Sequence, residues 1–130
     1  MDRTPADLGE IDRSNLASCI EACVDCAQAC TACAGSCLSE SADALAGLVP
    51  CIKAQLDCAD VCDATARVLS RSPGSALELV TNLLGACQTA CRACSEECDR
   101  CGELDRGCQV CAEACRRCEQ SCADLLASLA

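Results

Sequence analysis

The sequence is dominated by cysteines that recur at gaps of three and four residues. On an α-helix, residues three and four apart lie on one face, so each run of cysteines forms a single stripe of sulfurs. Helices of bundles and coiled coils show the same heptad spacing, usually with leucine in the stripe. The spacing therefore predicts four helices with thiols on their inward faces. The four stripes are Cys19, Cys23, Cys26, Cys30, Cys33 and Cys37; Cys51, Cys58 and Cys62; Cys87, Cys91, Cys94, Cys98 and Cys101; and Cys108, Cys111, Cys115, Cys118 and Cys122.

The composition explains why the thiols are expected to form the core. The chain of 130 residues is long enough for one domain but not for two, and it contains no aromatic residue. With a formal charge of −10 and few large apolar side chains, an ordinary hydrophobic core would be too small. Protonated cysteine buries like a small hydrophobic residue, and alanine favours helix. We therefore predict a slim core built largely of sulfur.

The first helix is predicted from the longest stripe. It is expected to begin between Asp12 and Ser14 and to end near Leu38, where a polar turn follows. Residues 1–13 are interpreted as an N-terminal arm, and residues 14–130 as the cysteine-rich bundle.

The second helix carries the fewest cysteines. An irregular stretch at residues 42–47 is expected to precede a regular helix from Pro50, because proline suits the first helical position. Two polar residues fall on its inward face, Gln55 and Thr65. Both are interpreted as hydrogen-bonded structural residues and not as metal ligands.

The last two helices have clear start and stop signals. Ser75 and Glu78 fit a capping box that would open the third helix. Gly102 is expected to end it, since glycine favours helix termini. The fourth helix is predicted from about Arg106 to Leu129.

The short connections make sequential helices antiparallel, which predicts an all-α, up-down-up-down four-helix bundle with a cysteine-lined core. One end, called the leucine end below, is expected to gather Leu16, Val68, Leu69, Leu77, Val80, Leu84, Leu125, Leu126 and Leu129. The opposite end, called the mouth, gathers Cys37, Cys51, Cys101 and Cys108. The acidic residues on the turns near the mouth are interpreted as solvated loop charges in preference to a cation-attracting rim; they are Glu40, Asp43, Glu103 and Asp105.

Several classes of function are disfavoured by the composition. The acidic chain lacks the basic stripe that nucleic acids or anionic membranes require, and no apolar run approaches the length of a membrane span. The N-terminus has no signal-peptide pattern, so we expect a cytosolic protein whose thiols stay reduced. An odd number of cysteines and the spacing along single helix faces also disfavour disulfides. Without histidine or a phosphate-binding loop, the chain is not expected to be an enzyme.

A long column of thiols favours a soft, singly charged metal ion. Buried thiolates need about one positive charge each, which Cu(I) supplies while accepting low coordination by bridging sulfurs. Zinc in separate four-cysteine sites would leave two negative charges per site, but a metallothionein-like sink for Zn or Cd remains the alternative. Iron–sulfur ligation fits less well, because no CxxCxxC run occurs. A structural or interaction bundle with inert thiols is the third interpretation.

The chain resembles the cytosolic branch of the bacterial copper storage proteins. The resemblance extends from about Ser14 to Leu129 and is carried by the cysteine repeat in all four helices, as in Cys-Ile-Glu-Ala-Cys-Val-Asp-Cys-Ala-Gln-Ala-Cys and Cys-Gln-Val-Cys-Ala-Glu-Ala-Cys-Arg-Arg-Cys. It implies a bundle, commonly a homotetramer, that binds many Cu(I) ions through cysteine thiolates for storage and detoxification. Carried over by position, all 19 cysteines are ligands. Copper-delivering or copper-accepting proteins are the expected partners.

One departure from the family concerns the mouth. Members often carry histidines around the turn between the third and fourth helices, and residues 102–106 contain none here. The first copper ions are therefore expected to bind at Cys37, Cys51, Cys101 and Cys108.

Overall fold

The computed structural model describes residues 10–72 and 74–129, and the side chains of the first helix from Arg13 onward. In this part of the chain every regular element is a helix. The four helices are α1 (Glu10–Leu38), α2 (Ala42–Ser70), α3 (Leu77–Cys101) and α4 (Gly107–Leu129). The predicted all-α four-helix bundle is therefore confirmed.

Cross-helix contacts establish the antiparallel order. The beginning of α1 meets the end of α4 through Cys19 and Cys122, whereas its other end meets the beginning of α4 through Cys37 and Cys108. Helices α2 and α3 are antiparallel in the same way, because the beginning of α2 contacts the end of α3 and the later part of α2 contacts the earlier part of α3. Each helix packs beside two others, so that α1 and α3 each lie between α2 and α4. This arrangement turns all four cysteine stripes toward one axis.

The predicted start of the second helix is wrong. Helix α2 is regular from Ala42, and Pro50 lies inside it. The hydroxyl oxygen of Ser41 accepts the N–H of Ala44 at 3.3 Å and caps the helix start. Leu48 is fully buried in the first turns. Pro50 and Ala46, whose carbonyl has no N–H partner at Pro50, are both exposed, and packing and capping outweigh the lost hydrogen bond.

The other helix limits agree more closely with the sequence. Helix α3 ends at Cys101 with Gly102 as its C-cap. The predicted capping box is wrong, because the N-cap of α3 is Ala76, which makes no side-chain cap, and the Ser75 hydroxyl donates to the carbonyl of Val68 instead. Helix α1 already begins at Glu10, and residues 1–9 of the predicted arm lie outside the described residues. The division into arm and bundle stays a prediction.

The leucine end forms with one exception. Its buried members are Leu69, Val80, Leu84 and Leu125, and its partly buried members are Leu16, Val68, Leu126 and Leu129. Leu77 was wrongly assigned to this core: its side chain is 53% exposed at the first residue of α3. The structure adds two core residues near the mouth that the sequence reasoning missed, Leu48 and Ile52.

One helix passes a simple test for a membrane span. Residues Arg13–Leu38 have a mean hydropathy of 1.2 in their most apolar window and sufficient length, so the expectation that no run approaches a span is wrong by this measure. The apolar character comes from cysteine and alanine. Its six cysteines contact the other three helices, as in the core helix of a bundle.

Candidate metal-binding core

All 19 cysteines are free thiols, and all are buried. Most have no exposed surface at all, and the most accessible, Cys33 and Cys101, are 4% exposed. The helical spacing is the cause, because residues three and four apart keep facing the same axis over the full length of each helix. The 18 steps from Cys19 to Cys37 rise by about 27 Å at about 1.5 Å each, so the sulfurs form a column along the bundle.

Neighbouring sulfurs of this column are in contact. Their Sγ–Sγ distances range from 3.5 Å, between Cys30 and Cys111, to 4.0 Å, between Cys23 and Cys87. Contacts within the middle of the column join all four helices, as between Cys26, Cys58 and Cys115 or between Cys62, Cys87 and Cys118. Sulfur contacts and shared groups therefore link Cys19 and Cys122 at the leucine end to Cys37 and Cys108 at the mouth.

The network contains overlapping groups whose ligand atoms all lie within 4.8 Å of one another. They include four groups of cysteine alone: Cys23, Cys87, Cys118 and Cys122; Cys26, Cys62, Cys91 and Cys118; Cys26, Cys30, Cys58 and Cys115; and Cys30, Cys94, Cys111 and Cys115. Within these four groups, some sulfurs belong to two groups each, namely those of Cys26, Cys30, Cys115 and Cys118. A sulfur shared in this way can bridge two metal ions.

The distances suit bridged metal thiolates without large movement of the helices. A metal about 2.3 Å from each of two sulfurs separates them by about 4.6 Å when the three atoms are in line, and by about 3.8 Å at a tetrahedral angle. The observed contacts of 3.5 to 4.0 Å lie on either side of the tetrahedral value and below the in-line value. Filling the column therefore requires only small rotations of the thiol side chains.

The thiols near the mouth are protonated at neutral pH before metal binds. Burial raises the pKa of Cys37 and Cys101, and it raises the pKa of Cys108 to about 12. Hydrogen bonding to Cys98 raises the pKa of Cys51, with burial acting in the same direction. Removing these thiols from water disfavours the charged thiolate, and a neutral thiol packs as a small apolar group. The metal-free mouth is thus a folded, uncharged part of the core.

Three of the four predicted mouth cysteines are brought together. The Cys108 sulfur lies 3.8 Å from that of Cys37 and 3.9 Å from that of Cys51. The Cys101 sulfur lies 3.7 Å from the carbonyl oxygen of Gly47. Cys33, which the sequence analysis did not place at the mouth, joins the group at 3.7 Å from Cys108.

Gln55 lies fully buried among these sulfurs. Its Nε2 donates to Cys33 at 3.0 Å and to Cys51 at 3.3 Å. Its Oε1 has no hydrogen-bond partner among the described residues. The predicted structural role is thus only half right, because one end of the amide is unsatisfied and the other is directed at candidate metal ligands. Thr65 is simpler, and its hydroxyl donates to the carbonyl of Val61 at 2.7 Å.

The acidic residues of the turns divide into two kinds. Asp43 and Glu103 are exposed, as expected of loop charges, and Glu40 is partly exposed, with its pKa raised by hydrogen bonding to Asp105. Asp105 is only 7% exposed, so its interpretation as a solvated charge is wrong. Its Oδ1 accepts the N–H of Gly107 at 2.7 Å, and its Oδ2 accepts the hydroxyl of Ser36 at 2.9 Å. An aspartate two residues before a helix start was the only sequence signal for this turn.

Comparison with known proteins agrees with this site. Residues 12–127 match the family model described as copper storage protein. The chain belongs to that family. No curated protein sequence matches this family member significantly.

Solved structures of one bacterial relative are closely similar. A cytosolic copper storage protein of Streptomyces lividans with five coppers shares 54% identity over 92% of this chain and 98% of its own, with a TM-score of 0.86. The same protein, Ccsp, loaded with 10 copper equivalents shares 54% identity over 96% of this chain and 93% of its own, with a TM-score of 0.87.

A variant of that relative is equally similar to this chain. A Ccsp variant in which two histidines are replaced by alanine shares 53% identity over 92% of this chain and 99% of its own, with a TM-score of 0.87. The relative therefore carries histidines, whereas this family member has none. The mouth of this family member contains buried cysteine thiols and the buried carboxylate of Asp105.

Proposed function

We propose that this protein stores Cu(I) in the cytosol as thiolate clusters along the bundle axis, and thereby limits copper toxicity. The observation that carries the proposal is the continuous network of buried sulfurs, in which neighbouring groups share ligands. Family membership supports it. A shared sulfur suits a cluster of singly charged soft ions better than separate sites that each need four ligands of their own.

Charge supports copper over a divalent cargo in the all-thiol groups. One Cu(I) per thiolate leaves the buried core close to neutral, which avoids the cost of several kcal/mol for each uncompensated buried charge. A divalent ion with four thiolates leaves two negative charges in each group. The low dielectric of the interior makes that excess costly.

All 19 cysteines are proposed as copper ligands, with no catalytic residue and no reaction beyond binding and release. Cys37, Cys51, Cys101 and Cys108 are proposed to bind the first ions. We further propose that the protein assembles as a homotetramer and exchanges copper with delivering or accepting proteins. The similarity to Ccsp supports the location and the cargo.

An anaerobic titration of the reduced, metal-free protein with Cu(I) against a competing chelator tests the proposal. Binding of about one copper per cysteine is the expected result. Saturation at about four or five ions, with Zn(II) competing well, would contradict it and indicate separate four-cysteine sites.

The order of filling has its own test. Replacing Cys37, Cys51, Cys101 and Cys108 with serine is expected to slow copper uptake while the deeper groups still fill. The matched control replaces Cys19, Cys23, Cys118 and Cys122 at the leucine end. Equal uptake rates in the two variants would contradict the assignment of the mouth.

A further inference from the structure

Four buried side chains at the mouth form a group unlike the all-cysteine groups deeper in the bundle. The ligand atoms of Cys33, Cys37, Asp105 and Cys108 all lie within 4.8 Å of one another. Three are thiols and the fourth is a carboxylate, and all four residues are buried. The cysteines come from the end of α1 and the start of α4, and the aspartate from the turn between α3 and α4.

The three sulfurs already have tetrahedral spacing. Cys33 and Cys108 are 3.7 Å apart, Cys37 and Cys108 are 3.8 Å apart, and Cys33 and Cys37 are 4.0 Å apart. Zinc–sulfur bonds of about 2.3 Å at tetrahedral angles require a separation of about 3.8 Å. A tetrahedral ion can therefore take these sulfurs as three ligands with little movement, and the carboxylate is within reach as the fourth.

The carboxylate is held in position by its own hydrogen bonds. Ser36 donates to Oδ2 and the backbone N–H of Gly107 donates to Oδ1. Glycine allows this approach, because a Cβ at position 107 would lie 2.9 Å from Oδ1 and 3.6 Å from the Cys33 sulfur. Hydrogen bonds of this kind fix a metal-binding carboxylate before the metal arrives.

Ligand hardness distinguishes this group from the copper column. A carboxylate oxygen is a hard donor that suits divalent ions better than Cu(I). Three thiolates and one carboxylate carry four negative charges, of which a divalent ion offsets two and Cu(I) only one. The amide N–H of Gln55 directed at Cys33 and the positive end of the α4 dipole offset part of the remainder.

We propose that Cys33, Cys37, Asp105 and Cys108 form a mixed thiolate and carboxylate site that binds one zinc-class divalent cation when the protein is poor in copper. This role goes beyond copper storage. In the copper-poor protein the zinc ion would lie between the α3–α4 turn and the sulfur column. Copper loading would then displace zinc from the three shared cysteines.

Cobalt(II) serves as a visible probe for zinc, because its charge-transfer absorption rises with the number of bound thiolates. One equivalent of Co(II), added anaerobically to the reduced full-length protein, is expected to show three thiolates per ion. Zn(II) is expected to displace it. In Asp105→Asn the first zinc ion is expected to bind on the order of 100-fold more weakly, and in Ser36→Ala about 10-fold more weakly. Glu103→Gln, which removes an exposed charge from the same turn, is the matched control and is expected to bind zinc normally.

The proposal is overturned if the first cobalt ion shows four thiolates in the natural protein, or if Asp105→Asn and Glu103→Gln bind the first zinc ion equally well. Asparagine keeps an oxygen that can accept the Gly107 N–H, so the turn is expected to persist, as circular dichroism would verify. If Asp105→Asn fails to fold, zinc binding is measured in Cys37→Ser, which removes one ligand and leaves the turn intact. Zinc binding as tight as in the natural protein would then overturn the proposal. Copper capacity, measured separately with Cu(I), is expected to be unchanged in Asp105→Asn, so failure of the zinc site and failure of copper storage give different results.

Discussion

Replacement of Gln55 by leucine is expected to affect the metal-free and copper-loaded proteins differently. In the metal-free protein the amide donates to neutral thiols at Cys33 and Cys51, and its Oε1 is buried with no partner in the part of the chain that the structure describes. Two neutral hydrogen bonds contribute about 1–3 kcal/mol, and an unsatisfied buried polar atom costs about 1–3 kcal/mol. Leucine has a similar volume and removes both terms. The free energy of unfolding should therefore change by less than about 1 kcal/mol, or less than about 5 °C in Tm.

The Gln55 substitution should change the copper affinity much more than the metal-free stability. Once copper converts Cys33 and Cys51 to thiolates, the same N–H groups donate to charged sulfurs, which is worth about 1.5–3 kcal/mol for each bond. The difference from the neutral state is about 1 kcal/mol per bond. Loss of both bonds should weaken copper binding near the mouth by about 2 kcal/mol in total, on the order of 30-fold.

Two assays test this prediction. Thermal unfolding followed by circular dichroism measures the metal-free stability, and Cu(I) titration against chelators of graded affinity measures binding. Gln28→Leu, on the exposed face of α1, is the control and should change neither. A loss of more than about 3 kcal/mol in the metal-free protein, or unchanged copper affinity, would refute the reasoning about the amide.

Three further outcomes are expected. Leu84→Ala should lower the free energy of unfolding of the metal-free protein by about 2–5 kcal/mol, because Leu84 is fully buried at the leucine end. Its copper capacity should be unchanged. Denaturant unfolding measures the first effect and a copper titration the second. The metal-free protein should lose stability as pH rises above 9 toward 12, since burial raises the pKa of Cys37, Cys101 and Cys108 and folding favours their protonated forms; unchanged unfolding midpoints across this range would contradict it. Arg92→Ala should cost less than about 1 kcal/mol in thermal unfolding, because its 3.0 Å ion pair with Glu119 is solvent-exposed.

The helices and their sulfur-lined faces could be predicted because a single rule determines them. A stripe with heptad spacing must face one axis, and with so few large apolar residues elsewhere that axis must be the core. The heptad spacing does not determine where α2 begins. Pro50 signals a helix start in isolation, but the buried Leu48 and the Ser41 cap keep the preceding turns helical.

The mouth could be predicted only in part. The burial of Asp105 depends on a hydroxyl from α1, 69 residues away in sequence, and on a glycine that leaves space beside the carboxylate. Neither contact has a local sequence pattern. Cys33 was assigned correctly to the column, but its place at the mouth follows from the relative heights of α1 and α4, which the loops and side-chain packing set together.

The leucine end has a consequence for the order in which ions leave. Beyond Cys19 and Cys122 the core is closed by apolar side chains such as Leu69, Leu84 and Leu125, which offer no donor to a metal ion. Ions that travel by exchange between sulfurs would then arrive and depart through the same end. Copper of one isotope, added after partial filling with another, should therefore be enriched among the first ions withdrawn by a chelator, so that the protein releases its most recent copper and retains its oldest.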